Sequence, residues 1–171
     1  MLLNRDDMDD RRRYLNARFA LTELLHRGVI PIINENDSVT IDELKFGDND
    51  ILSAIIAAKM DADLLVVLSN VPGLMTGNPA KDPEARVIPV VKDFRRELNE
   101  LVHAEMSHHG TGGMGTKLEA ARHATYYGVS AVITDGMNDG ALDRVLSGEF
   151  EGTFFVARGR RRAGSAKKHW L

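Results

Sequence analysis

No cysteine occurs among the 171 residues. That absence excludes disulfides, thiolate metal sites and a cysteine nucleophile, and it agrees with a reducing cytoplasm. No apolar run approaches the length of a membrane span, and Met1-Leu2-Leu3 gives way at once to charge. Neither a membrane helix nor a signal peptide is therefore expected. A net charge of −3 supplies no general attraction to nucleic acid or to an anionic membrane. Repeats, low-complexity segments and linkers are missing too. What is there is a 43% share of hydrophobic residues, enough for the core of one domain or a large piece of one. The expectation is a soluble, cytoplasmic protein.

The most informative stretch is Gly110-Thr111-Gly112-Gly113-Met114-Gly115-Thr116-Lys117, which runs into Leu118-Glu119-Ala120-Ala121. Its glycines free the backbone for positive φ and let a ligand approach closely. Thr116 and Glu119 have capping-box spacing, which predicts a helix beginning there. Helix starts carry unpaired N–H groups and partial positive charge, so they suit anions. A lysine in a first helical turn opposes the helix dipole unless an anion lies nearby, and Lys117 therefore reads as part of a phosphate cradle. Two other glycine motifs fail on context. Gly110, Gly112 and Gly115 fit the dinucleotide spacing, with Asp135 downstream, but Phe94, Leu98, Leu101 and Val102 before them have helical spacing where a strand is required. A Walker A loop fails because Thr116 stands between Gly115 and Lys117.

Along the rest of the chain, residues 4–13 mix acids and bases in the order a helix start prefers. Tyr14 to His26 predicts an amphipathic helix with Leu15, Phe19, Leu21, Leu24 and Leu25 inward, stopped at Gly28. Val29-Ile30-Pro31-Ile32-Ile33 reads as a short buried strand, at an edge or irregular because Pro31 cannot donate to a ladder. Asn34-Glu35-Asn36-Asp37 follows, at the strand end where open α/β sheets place ligand groups, although the same residues also favour an ordinary turn. Ser38 to Phe46 suggests a small excursion. Gly47-Asp48-Asn49-Asp50 opens a buried apolar helix, with Asp48 or Asn49 able to cap it. Two carboxylates at a buried helix start are costly unless a cation or ligand neutralises them. Leu64-Leu65-Val66-Val67-Leu68 reads as a strand for the middle of a parallel sheet, ending in Ser69-Asn70. A turn at Gly77-Asn78-Pro79, a weaker strand at 87–91, a helix capped by Asp93, a helix over 117–127, strand 129–134, helix 139–147 and strand 153–156 complete the series. Strands alternating with helices predict an α/β fold with a largely parallel sheet. The terminal basic run (Arg158, Arg160, Arg161, Arg162, Lys167, Lys168) reads as a solvated tail, so nucleic acid is not the expected partner. His108 and His109 lack partners at metal-ligand spacing.

Taken together, Val29–Asp37, Phe46–Asp50, Leu65–Pro79 and Gly110–Lys117 resemble, in order and spacing, the glutamate 5-kinase branch of the amino acid kinase family. Flanking blocks (Tyr14–Arg18, Gly152–Phe155 and a basic stretch closing on Trp170) extend the resemblance over essentially the whole chain. It implies a three-layer αβα sandwich and ATP-dependent phosphorylation of the γ-carboxylate of L-glutamate, with ATP and Mg²⁺ as cofactors. It further implies that Asp37, Asn49, Asn36 and Asp48 bind glutamate and that Asp50 orients the catalytic lysines. Thr111, Gly112, Gly113, Met114, Gly115, Thr116 and Lys117 would hold the ATP phosphates, with Lys117 stabilising the transferring phosphoryl group. Ser69 and Asn70 fall where the family has Thr-Asp at the nucleotide pocket, and Met75 where it has Tyr. No metal ligand from protein side chains is implied, and a homo-oligomer is expected. Because the γ-carboxylate is already ionised at neutral pH, no general base is needed.

Family members begin with a strand and a lysine-bearing glycine loop, which residues 1–28 do not resemble. Residues 1–171 are accordingly read as a partial kinase domain, with 1–157 as α/β core elements and 158–171 as a basic C-terminal segment. Two alternatives stay open: a catalytically silent nucleotide-binding fragment, and a related kinase acting on N-acetylglutamate.

Overall fold

The computed structural model describes residues 1–38, 49–77, 81–94 and 113–159. Its elements, in chain order, are β1 (Leu2–Leu3), α1 (Arg5–Asp9), α2 (Arg11–His26), β2 (Asn34–Glu35), α3 (Asn49–Lys59), β3 (Leu64–Ser69), β4 (Val90–Val91), α4 (Met114–Tyr126), β5 (Ser130–Asp135), α5 (Ala141–Ser147) and β6 (Gly152–Phe155). The main sheet has the order β3-β5-β6-β4, and β1 and β2 form a small separate pair. Pairing is parallel for β1 with β2, β3 with β5 and β4 with β6, and antiparallel for β5 with β6.

Strand alternation divides the sheet into two faces. Leu65, Val67, Ala131, Ile133 and Phe155 point to one side, where they pack with Ala54 and Ala57 of α3 and Ala120, Ala121 and Ala124 of α4. The alanines let the two helices lie close to each other and to the strands. Val132 and Thr134 alternate to the other face, where α5 covers β5 with Ala141 and Val145 buried. Helices, sheet and α5 make the three layers of the expected αβα sandwich.

Three sequence expectations need correction. The stretch 29–33 is not a buried strand: pairing begins only at Asn34, and Ile30 and Ile32 stay 86% and 84% exposed. A parallel strand is buried when both flanks and both faces are covered, and among the described residues this segment has only the two-residue β1 beside it. Secondly, β3 lies at the edge of the described sheet rather than in its middle, which leaves Leu68 exposed. Thirdly, the buried stripe of α2 is Tyr14, Ala17 and Leu21, while Leu15, Phe19 and Leu25 face outward. Tyr14 sets that orientation. Its hydroxyl donates to the Lys59 carbonyl at 3.0 Å and accepts from Arg18 Nη1 at 2.9 Å, and Lys59 Nζ lies 4.6 Å from its ring centroid. The charged start also divides: α1 ends at Asp9, and the carboxylate of the next residue, Asp10, caps α2 by accepting from Arg13 N–H at 2.9 Å.

On the far turn of α4, His123 is half-buried against Tyr127, with ring centroids 4.7 Å apart. Its Nδ1 is buried without a hydrogen-bond partner among the described residues. Burial pushes its pKa below the ordinary 6.5; Glu119 pulls the other way, while Arg122 and Lys59 add to the fall. The unfolded chain therefore takes up this proton at a higher pH than the folded one. Stability should fall as pH is lowered through and below 6.5. His123→Phe keeps the ring contact and removes the proton, so its melting temperature should drop less than wild type between pH 7.5 and 5.5. Parallel drops in the two proteins would remove His123 as the source.

Candidate functional site

The topology brings two helix starts together. α3 feeds β3 through residues 60–63, and α4 feeds β5 through 127–129. Each helix runs back along the strand it precedes, and β3 and β5 are parallel in register from Leu64↔Ser130 to Ser69↔Asp135. The N-termini of α3 and α4, which pack side by side, therefore stand at the sheet edge where β3 and β5 end. Open α/β sheets bind ligands at that edge.

Asp50 lies in the first turn of α3 and Lys117 at the start of α4. Lys117 Nζ donates to Asp50 Oδ2 at 2.8 Å, and Thr116 Oγ1 reaches the same oxygen at 3.1 Å. Both charged side chains are less than one-fifth exposed (18% and 16%). The sequence posed two electrostatic problems, a carboxylate at a buried helix start and a lysine at a positive helix end. Here each is the other's partner. The helix start itself differs from expectation: α4 begins at Met114, with Gly113 as N-cap at φ 104°, so Thr116 is a first-turn residue and no capping box forms. Instead of accepting from a backbone N–H, its hydroxyl lies 3.1 Å from both Gly113 O and the Asp50 carboxylate. Cβ atoms added to Gly113 or Gly115 would meet nothing within 4 Å, so the backbone there is open to close approach.

Beside this pair is a cavity of about 330 Å³ lined by Leu68, Ser69, Asn70, Lys117, Gly136 and Met137. Ser69, Asn70 and Lys117 were singled out from sequence; Gly136 and Met137 were not. Their signal was position alone, directly after the strand that ends opposite Ser69. Gly136 N–H donates to Ser69 O at 2.8 Å, stitching the two strand ends together. The Ser69 hydroxyl is buried and, among the described residues, has no hydrogen-bond partner. Buried hydroxyls rarely stay unpaired.

Asn36 and Asp37 follow β2. Ile33, just before β2, packs in the apolar cluster that contains Leu52 of α3, so the segments carrying Asn36, Asp37, Asn49 and Asp50 leave a common seam. Met75 forms an isolated antiparallel bridge with Val87. Asp48, Thr111, Gly112, His108, His109, most of the 38–46 excursion, Asn78 and Pro79, the helix expected after Asp93 and residues 160–171 lie outside the described residues. Among those described, no three His, Asp or Glu side chains cluster as a metal site, and no helix is long and apolar enough to cross a membrane.

Fold and site together define an α/β protein with its cleft at the carboxyl ends of parallel strands, where a lysine–carboxylate pair bridges two helix starts. Comparison with known proteins narrows the class. Residues 1–135 match the model of the amino acid kinase family. The chain is 46% identical over 171 residues to a glutamate 5-kinase of Syntrophotalea carbinolica and 47% identical over 171 residues to one of Deinococcus radiodurans; all of the chain is covered in both. It spans 45% and 47% of the length of these relatives. Among solved structures, UMP kinase from Ureaplasma parvum superimposes with a TM-score of 0.60 at 14% identity, over 81% of this chain and 52% of that one. Carbamate kinase from Giardia lamblia bound to AMP-PNP does so with a TM-score of 0.58 at 23% identity, over 81% and 48%. The chain belongs to the amino acid kinase family.

Proposed function

We infer that the chain carries the nucleotide side and part of the substrate side of a glutamate 5-kinase. The reaction transfers the γ-phosphoryl group of ATP to the γ-carboxylate of L-glutamate and gives glutamyl 5-phosphate, the first step of proline biosynthesis. The observation that carries this reading is the Lys117–Asp50 pair at 2.8 Å, set beside the strand-end cavity. Names and identities of the glutamate 5-kinase relatives support the choice of acceptor, and the AMP-PNP complex of the carbamate kinase supports the choice of nucleotide.

The residues fit a triphosphate. The α4 start offers backbone N–H groups, open approach at Gly113 and Gly115 and one ammonium, and the unpaired Ser69 hydroxyl offers a further donor. Thr111 to Lys117 are the residues assigned to the phosphates, and Ser69 and Asn70 those assigned to the remainder of the nucleotide. In this arrangement Asp50 orients Lys117, and Lys117 meets the negative charge that spreads over the phosphoryl oxygens. Asp37 and Asn49, flanked by Asn36 and Asp48, are assigned to the amino acid. Mg²⁺ would be held on the phosphate oxygens and supply the rest of the charge neutralisation there. Residues 1–157 make up part of a single kinase domain, 158–171 a basic extension of it, and the working form is a homo-oligomer in the cytoplasm.

The test is ATP-dependent hydroxamate formation by this chain with L-glutamate, N-acetylglutamate and no acceptor, next to calorimetric titration with MgATP. Hydroxamate with L-glutamate alone is the expected result. ATP binding without turnover would reduce the chain to a silent nucleotide-binding unit, and neither binding nor turnover would remove the kinase reading.

A further inference from the structure

The Gly152–Phe155 strand has no part in the phosphate chemistry, yet it places a hydroxyl in the core. Thr153 is 0% exposed. By strand alternation it lies on the same side of the sheet as Phe155, Ile133 and Ser69, the side that α3 and α4 cover. Gly152 lets it in: an added Cβ there would stand 2.6 Å from Ile133 O, so β6 begins closer to β5 than a larger residue allows. A valine has the shape of threonine and no polar atom to satisfy. Thr153 instead accepts from the Leu74 N–H at 2.8 Å, and Leu74 is buried as well. Leu74 closes a strap that begins at Ser69. At the first end Ser69 O accepts from the Gly136 N–H at 2.8 Å. At the other, Leu74 is held through its N–H by Thr153 and through its carbonyl by the Ile88 N–H at 2.7 Å. Between these pins stand Asn70, which lines the cavity, and Pro72, whose ring fixes φ.

We propose that Thr153 is a positioning residue for the wall of the cavity: its hydroxyl pins the 69–74 strap and so sets where Asn70 stands. Thr153 is not among the residues that line the cavity, so it acts through the strap alone. The identity of the ligand rests on the kinase reading above; the latch rests on this geometry. A side chain has to do this work because β6 is paired on both flanks, with β5 and with β4, and its backbone is committed to those ladders. Gly73 completes the fit, since a Cβ on it would stand 2.7 Å from Thr153 Oγ1 and hold the strap away. The Lys117–Asp50 contact is made by two helix starts that the strap does not carry. Release of Leu74 therefore loosens Asn70 and leaves the phosphate end of the site as it was.

The test compares MgATP with magnesium tripolyphosphate, which carries the phosphates and nothing for Asn70 to meet. Wild type is expected to bind both. Thr153→Val strands the Leu74 N–H and should weaken MgATP by about three- to tenfold, the net worth of one hydrogen bond, while tripolyphosphate binds as before. Thr153→Ser keeps the acceptor and should bind MgATP close to wild type. A merely structural threonine would lower the melting temperature without changing the ratio of the two affinities. A second measurement needs no variant and decides the matter should Thr153→Val not fold: amide exchange at Leu74 in wild type should be slowed by MgATP more than by tripolyphosphate. Equal protection by the two ligands, an unaltered affinity ratio in Thr153→Val, or a Thr153→Ser protein as weak as Thr153→Val would overturn the latch while the phosphate site stands. If wild type binds neither ligand, the kinase reading is overturned and the latch with it.

Discussion

Under the proposed function, replacing Lys117 with Met is expected to lower glutamate-dependent phosphoryl transfer by about a hundredfold to a thousandfold, the effect of deleting one preorganised electrostatic donor. The reasoning starts from the reactants. A carboxylate and a triphosphate are both anions, so the barrier is dominated by charge that must be neutralised where the phosphoryl group passes between them. Methionine has nearly the length of lysine and none of its charge, so packing is kept and the ammonium alone is lost. The same substitution has a second signature that needs no turnover. It takes the ammonium away from the Asp50 carboxylate, which is 16% exposed, and this should destabilise the fold by about 1–3 kcal/mol. Combining Lys117→Met with Asp50→Asn should restore part of that stability, because the buried negative charge is gone, but no activity. Urea melts of both single variants and the double variant, beside the hydroxamate assay, make the cycle. A Lys117→Met protein with more than a tenth of the wild-type rate would withdraw the assigned role.

The largest effect on stability alone is expected from Phe155→Ala. Phe155 is fully buried, stacked on Phe94 with ring centroids 5.3 Å apart and an interplanar angle of 20°. On β6 it sits opposite Ala131 of β5 and in register with Val91 of β4. The small Ala131 leaves room that the phenyl ring fills, and its removal opens a hole that neither strand can close without breaking register. Such truncations cost about 3–5 kcal/mol, against a total of about 5–15 kcal/mol for an ordinary domain. The measurement is the urea midpoint with the slope held common to both proteins. Phe155→Leu should lose much less, and a loss under about 1 kcal/mol for alanine would show that the β4–β6 flank contributes little.

Local patterns identified the elements whose partners are close in sequence or whose periodicity is unambiguous. β3, β5, β6, α3 and α4 came within a few residues of their observed bounds for that reason. Placement within the sheet was not legible. A run such as Leu64–Leu68 is hydrophobic on both faces wherever it stands, and nothing in five residues says which neighbours arrive. The inward face of α2 was misjudged because hydrophobicity favours Phe19, whereas the buried stripe is Tyr14, Ala17 and Leu21, with the Tyr14 hydroxyl bonded to the carbonyl of Lys59 forty-five residues away. At the site, Asp50 and Lys117 were legible because each is an electrostatic anomaly within its own helix. Thr116 misled, since its spacing to Glu119 imitates a cap that the turn at Gly113 makes unnecessary. Gly136 and Met137 carry no chemistry that stands out in a list of residues. They gain a role only when β5 is laid beside β3.

Because β6 runs against β5, its first residue, Gly152, pairs with Thr134 near the cavity, while Phe155 is paired with Ala131 at the opposite end. The chain therefore departs on the side remote from the cleft, and the Arg158 N–H bonds to the Thr125 carbonyl at the finish of α4. The cationic stretch that starts with Arg158 is thus launched from the rear of the molecule. Arg158 itself, 3.8 Å from Asp93, spends its charge on that rear face rather than on the cleft.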